Sequence, residues 1–383
     1  MEKILMIPGP IEYESNVLNT LSLPTISHNS KEFILEYQSS LKNLLSIFGA
    51  SQDALPFIIS GSGTLSMEIS TVNFISRNSK VLVVSTGYFG DRFATLLSRF
   101  TKNVEILRPP LGSAAEPKEL YEIVSKNEYD VVTVTHVDTS TGVRNNIKEI
   151  ANLIRETSSL LVVDAVCSAG GEHLRMDWGI DVAFSASQKA LGAPPGLAVG
   201  VVGQRALRVM KSKDPLTYYS DLRNWEPTIR NTLDAKPSYF ATPNVNLIRA
   251  FKVSLDSIIR EGLDSRIRRH EIIGEAFRTA FKEMGLRLIA DKSFANTVSA
   301  IYLPGNVELQ KFLSSAEDRG FVFAGGLIEG ISAKYFRVGH MGIIGSTEVL
   351  GAIDAIENSL KRNGYKVESG AAISVAQEVL AKL

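Results

Sequence analysis

Seven short apolar runs between Pro56 and Val202 constrain this chain more than any other feature. They fall at residues 57–60, 81–85, 104–107, 131–135, 160–163, 182–185 and 197–202, with stretches of helical character between them. Almost every position in the runs is apolar, without the polar alternation of a strand that keeps one wet face, so both faces are expected to be covered. Buried strands alternating with helices form a mostly parallel sheet, because a parallel connection must cross over and is long enough to hold a helix. The expected class is α/β, with a large, mostly parallel seven-stranded sheet.

Helical spacing of Leu65, Ile69 and Val72 directly after Gly61-Ser62-Gly63 predicts a helix that starts where a strand ends. Beyond Pro243 the pattern changes. One long helical stretch to about Met284 is followed by a strand at 297–303, a helix at 307–319, short strands near Val322 and Phe336, and a helix from Thr347. This predicts a large domain at 1–243, with an N-terminal arm at 1–30, and a smaller α+β domain at 244–383. The segment 214–243, rich in Asn, Pro and Tyr, reads as an irregular connection.

With 41 basic and 41 acidic residues and no long single-sign run, the chain has no electrostatic footprint for nucleic acid or anionic membranes. Small molecules are the expected partners. The single cysteine, Cys167, excludes an intramolecular disulfide and a cysteine-rich zinc site, and no metal is expected. The apolar run from Ile4 to Ile7 stops at Pro8, too short for a signal sequence, and no stretch approaches a membrane span, so a cytoplasmic location is expected. The C-terminal Ala381-Lys382-Leu383 either resembles a peroxisomal address or simply ends an amphipathic helix.

Lys189 lies in a segment of small residues and prolines after a buried strand. Schiff-base chemistry needs an amine that sheds its proton near neutral pH, which partial burial promotes. The segment alone fits a surface-loop lysine equally well. Asp164 ends the run at 160–163, at the sheet edge where open α/β folds keep their ligands, and could be a partner to a pyridinium nitrogen, a loop cap or a magnesium ligand. Gly61-Ser62-Gly63-Thr64 could turn backbone N–H groups toward a phosphate, although a tight strand-to-helix turn needs the same residues. Phe89 could stack on a planar ring or pack in the core. Arg337, in an otherwise apolar strand, holds either a structural carboxylate or a substrate's.

Taken in order, these motifs resemble the alanine–glyoxylate and serine–pyruvate aminotransferases, a branch of the class V, fold-type I pyridoxal-phosphate enzymes. The matching segments are Pro8-Gly9-Pro10, Gly61-Ser62-Gly63-Thr64, residues 135–142, Val163-Asp164-Ala165-Val166, Ser187-Gln188-Lys189 with Ala193-Pro194-Pro195-Gly196, Tyr239-Phe240-Ala241-Thr242-Pro243 and Arg337-Val338-Gly339. The resemblance implies pyridoxal 5'-phosphate as a Schiff base on Lys189, with Asp164 on the ring nitrogen and Val166 and Phe89 on the two ring faces. Ser62, Gly63, Thr64 and Gln188 would surround the phosphate, and Thr139 would contact the ring-oxygen side. Tyr239 and Thr242 would reach the phosphate from a second subunit of a homodimer, and Arg337 would take the substrate α-carboxylate with Gly9 nearby. Phe89 stands where some members have tryptophan, and Thr64 where others have histidine.

The implied reaction moves the amino group of alanine or serine to glyoxylate or pyruvate by a ping-pong route, since only one arginine is marked for a carboxylate. His136 and His340 read as packing or hydrogen-bonding residues, and His28 as a residue at the site mouth. Three rivals stand beside this reading: another enzyme of the same fold such as a cysteine desulfurase or other lyase, a binding protein that kept the fold without turnover, and a nicotinamide dehydrogenase. The third lacks its Gly-x-Gly-x-x-Gly fingerprint.

Overall fold

The computed structural model describes residues 3–215 and 217–383. All seven apolar runs are strands: β1 (Leu55–Ser60), β2 (Lys80–Val84), β3 (Asn103–Leu107), β4 (Val131–Thr135), β5 (Leu160–Asp164), β6 (Val182–Ala186) and β7 (Leu197–Val202). They form one sheet in the order β1-β7-β6-β5-β4-β2-β3. Neighbours pair in parallel from β6 to β3, and β7 alone runs antiparallel to both β6 and β1. The reversal has a local cause, because the chain between Ala186 and Leu197 is too short to hold a crossover helix and must turn straight back. Six strands therefore finish at one edge, and the Lys189 segment lies along it. The run at 104–107 departs from the expected burial: β3 is one of the sheet's two edge strands, and only Leu107 in it is fully buried.

Helices cover both faces. The helix α1 (Lys31–Ile47) starts at Ser30, whose side chain accepts from Phe33 N, and buries Phe33, Ile34, Tyr37, Leu41, Leu44 and Leu45 at three- and four-residue intervals. α2 (Gly63–Val72) and α3 (Tyr88–Leu97) each begin just past the end of a strand. The connection at 214–243, read from sequence as irregular, contains the helix α4 (Leu222–Leu233), which runs through Pro227. Its buried Leu222, Trp225 and Ile229 join the large core, and that packing outweighs the proline.

The stretch after Pro243 is two helices, α5 (Val245–Glu261) and α6 (Leu263–Glu283), separated at Gly262 with φ +82°. A left-handed φ of this kind ends a helix cleanly only at glycine. Packing draws α5, just past the expected division at residue 243, into the large-domain core. A second core lies between α6, α7 (Leu309–Glu317), α8 (Ser346–Arg362), α9 (Ala371–Leu380) and a three-stranded antiparallel sheet of β8 (Val298–Tyr302), β9 (Ala324–Gly325) and β10 (Tyr335–Gly339), ordered β8-β10-β9. Among the described residues no helix is long and apolar enough to cross a membrane.

The N-terminal arm ties the two cores together. Ile4–Leu5 pairs in parallel with Phe321–Val322, Met6 is buried in the second core, and Gly339 N donates to Met6 O at 2.7 Å. A side chain at residue 339 would place its Cβ 2.2 Å from Ile7 O, so glycine is what lets the arm pass. The arm then delivers Pro8 and Gly9 to the sheet edge where the candidate residues gather. Buried Glu172, in the loop after β5, adds a second tie by accepting from Arg144 Nη1 at 2.9 Å and from Asn296 Nδ2 at 2.8 Å, just before β8.

Candidate active site

At the C-terminal edge of the parallel strands lies a cavity of about 220 Å³. Four strand ends build it. β1 leads through Gly61 into Ser62, Gly63 and Thr64 at the start of α2; β4 ends at Thr135; β5 ends at Asp164; and β6 leads into Gln188 and Lys189. Thr135 and Asp164 are register partners on adjacent strands, so the carboxylate is set beside the threonine by the sheet itself. The α2 helix is pinned to β6 by Ser66 Oγ, which donates to Ser185 O at 2.7 Å. Gly63 sits so close to β6 that an added Cβ would stand 3.1 Å from Ala186 Cβ.

The cavity is lined by nine of the residues named from sequence, namely Ser62, Gly63, Thr64, Phe89, Thr139, Asp164, Val166, Gln188 and Lys189. Gly9 and Arg337 join from behind this lining. Lys189 Nζ donates to Pro8 O, and a Cβ on Gly9, whose φ is +91°, would stand 2.6 Å from Lys189 Cδ. Arg337 Nε donates to Gly325 O at 2.7 Å and its Nη1 to Thr139 O at 3.3 Å, so β10, in the sheet of the second core, is tied directly to the cavity wall. Tyr239 and Thr242 do not reach the cavity of their own chain. They meet each other at 3.2 Å on the surface, where Tyr239 is 60% exposed and tilts against His28.

Residues 11–304 match the family described as Aminotransferase class-V. Alanine–glyoxylate aminotransferase 1 of Saccharomyces cerevisiae is 40% identical over 94% of this chain and 98% of its own length. A serine–glyoxylate aminotransferase of Hyphomicrobium methylovorum is 30% identical, over 99% and 94% respectively. The crystal structure of pyridoxamine–pyruvate aminotransferase from Mesorhizobium loti superposes with a TM-score of 0.93 at 27% identity, covering 100% of this chain and 98% of that one. The chain belongs to the class V aminotransferases.

In this class V aminotransferase the buried ionisable groups sort by environment. Burial lowers the Lys189 ammonium from its ordinary value, and the nearby Arg337 charge adds to that, whereas Cys167 and Asp164 oppose it. Burial raises the Asp164 carboxyl to about 7, held back in part by Val166 N, which donates to Oδ1 at 2.9 Å. Arg337 is held below its ordinary value, chiefly by desolvation. His136 and His340 are buried and pushed down to about 3, so both are neutral packing groups, and His340 stacks on Phe277 at 5.1 Å.

Sequence reasoning passed over Met67, Arg92, Thr135 and Val137 as cavity residues, and over Asp138 behind them. Asp138 is fully buried and accepts from Phe89 N at 3.0 Å, Gly90 N at 3.2 Å, Ser140 N at 2.9 Å and Ser140 Oγ at 2.6 Å. It thereby caps the start of α3 from another loop and sets where Phe89 projects. The available signal was an aspartate inside the motif at 135–142; its target, 49 residues earlier, is visible only in three dimensions.

The Asp164 shift has a stability consequence. Its folded value of about 7 exceeds the ordinary 3.8, so burial favours the protonated form and its contribution is complete below about pH 4 and lost as pH rises through 7. In protein stripped of cofactor, unfolding stability should fall across that window by roughly 4 kcal/mol more in the wild type than in Asp164→Asn, at ~1.4 kcal/mol per pKa unit. Urea unfolding at pH 4 and pH 7.5 measures it, and parallel profiles for the two proteins would sink the assignment.

Proposed function

We propose that this transaminase moves the amino group of alanine or serine to glyoxylate or pyruvate, with pyridoxal phosphate held in the cavity at the ends of β1, β4, β5 and β6. The observation that carries the reading is the meeting of Lys189, Asp164 and the start of α2 in one cavity, although they arrive on three different strands. The donor set fits the cofactor. Asp164 is a buried carboxylate without an ion-pair partner among the described residues, suited to a ring N–H. Thr135 Oγ1 and Gln188 Oε1 are buried without a partner among the described residues, and both line the cavity. Apolar faces come from Phe89 and Val166.

When bound, pyridoxal phosphate supplies an electron sink for the charge left on a substrate α-carbon. The chain's residues do the rest. Lys189 Nζ, whose proton is loosened by burial, would anchor the cofactor at rest and, once the substrate amine has displaced it, accept the proton from the substrate Cα. Asp164 orients the ring nitrogen and keeps positive charge on it. Arg337, fixed by the Gly325 and Thr139 carbonyls and without a carboxylate partner among the described residues, offers its remaining guanidinium edge to the substrate α-carboxylate. The small cavity and a single arginine on the Thr139 side support a small neutral donor. The names of the yeast and Hyphomicrobium relatives support glyoxylate as acceptor.

A desulfurase reading is disfavoured by Cys167, which is buried, raised to about 12 chiefly by desolvation, and within 3.3 Å of Thr297 Oγ1. Such a thiol is a poor nucleophile.

Alanine with glyoxylate should give glycine and pyruvate by parallel-line, ping-pong kinetics, and Lys189→Ala should fold but lose turnover. Product formation by purified Lys189→Ala at the wild-type rate would remove Lys189 from the mechanism. Arg337→Lys should lower kcat/KM for all four substrates by roughly ten- to a hundredfold, the worth of about 1.5–3 kcal/mol for a charge-assisted bidentate contact that a point charge cannot reproduce. Undiminished efficiency with every substrate would place the carboxylate elsewhere. The surface position of Tyr239 and Thr242 supports a homodimer in which each copy completes the other's phosphate site, and a fully active monomer in sedimentation would exclude it.

A further inference from the structure

We propose that Arg92 neutralises the cofactor phosphate, working as a pair with Thr64. The assignment rests on the pyridoxal-phosphate reading above and adds a charged member to a cradle otherwise made of neutral donors. Of the residues lining the cavity only Lys189 and Arg92 are cations, and Lys189 is committed to the reaction. A phosphate monoester carries close to two negative charges at neutral pH, with a second pKa of about 6. Backbone N–H groups and hydroxyls satisfy its oxygens without matching that charge.

Arg92 is placed for the task by three independent features. Its Nη2 donates to Thr64 Oγ1 at 2.9 Å, at the first turn of the ten-residue helix α2. That bond occupies an acceptor site of the hydroxyl and leaves the Thr64 proton free to be donated to an anion. In the same turn Leu65 N and Ser66 N donate to Ser62 O, whereas the Gly63 and Thr64 N–H groups have no acceptor among the described residues. The guanidinium is also not neutralised by protein. Arg92 has no ion-pair partner among the described residues, and its neighbour Asp91 is taken by Arg108 and by Ser85 Oγ at 2.7 Å.

The third feature is the scaffold. Arg92 lies three residues after Phe89 on α3, so the two project from one helix face. The Asp138 carboxylate that holds Phe89 N and Gly90 N therefore sets the ring-stacking face and the phosphate-side cation together.

The test compares pyridoxal phosphate with pyridoxal, which lacks the phosphate, as ligands of cofactor-stripped protein, with affinity read from the visible absorbance of the bound cofactor. Arg92→Gln should weaken pyridoxal phosphate by roughly ten- to a hundredfold and pyridoxal by less than about threefold. Arg92→Lys, which keeps the charge, should recover most of the loss, and added salt should narrow the gap between wild type and Arg92→Gln. Equal losses for both ligands, or no loss for pyridoxal phosphate, would overturn the assignment. Wild-type protein that binds neither ligand would overturn the cofactor reading and this one with it, so the two failures are distinguishable.

Discussion

The register between β4, β5 and β6 carries the chemistry. Thr135 pairs with Asp164 and Asp164 with Phe184, so the carboxylate leaves the sheet at its last rung, two residues before β6 itself ends. Side chains alternate faces along a strand, and a slip of one residue would turn Asp164 out of the cavity and a valine into it. The slip is prevented by the interior of the sheet, where every residue of these three strands is buried. The hydrophobic core thus does more than hold the fold, because it indexes the polar ends of the strands against one another.

Placing charged groups at such an edge works against their solvation, and the structure compensates with backbone dipoles. Asp138 faces three N–H groups and a hydroxyl, Asp164 one N–H, and Arg337 two carbonyls. A second buried arginine combines backbone carbonyls with a carboxylate. Arg266 on α6 donates to Gly170 O at 3.0 Å and Ala190 O at 2.9 Å, and its third contact is Glu261 at 2.7 Å. Gly170 lies in the loop after Asp164 and Ala190 directly after Lys189, so one guanidinium braces both segments. At Arg337 the carbonyls satisfy the guanidinium without cancelling its charge, whereas at Arg266 the Glu261 carboxylate pairs with it.

Much of this was legible in the sequence. Continuous apolar runs marked six of the large-sheet strands because burial on both faces leaves a direct trace in residue type, and they marked β3 although most of that strand is exposed; the ordered motifs also singled out Lys189 and Asp164, which line one cavity, and Arg337, which is tied to its wall. Misreadings came where packing overrode local preference. Pro227 marks a break in any local account, yet α4 continues through it on the strength of Trp225 and Ile229. Gly262 looked like one more residue in a long amphipathic stretch. Arg92 and Asp138 escaped notice for a different reason: each acts on a partner 28 or 49 residues away in sequence, and no periodicity encodes that proximity.

The arm's pairing has an implication for how the polypeptide comes together during synthesis. Ile4 finds its strand partner at Phe321, and Met6 its donor at Gly339, near the opposite end of the chain. The strands of the large sheet follow one another along the chain, but residues 4–9 cannot dock until Phe321–Val322 and β10 have been made. Until then Lys189 lacks the Pro8 carbonyl and the Gly9 backbone against it, so the lysine environment is completed only when the arm docks.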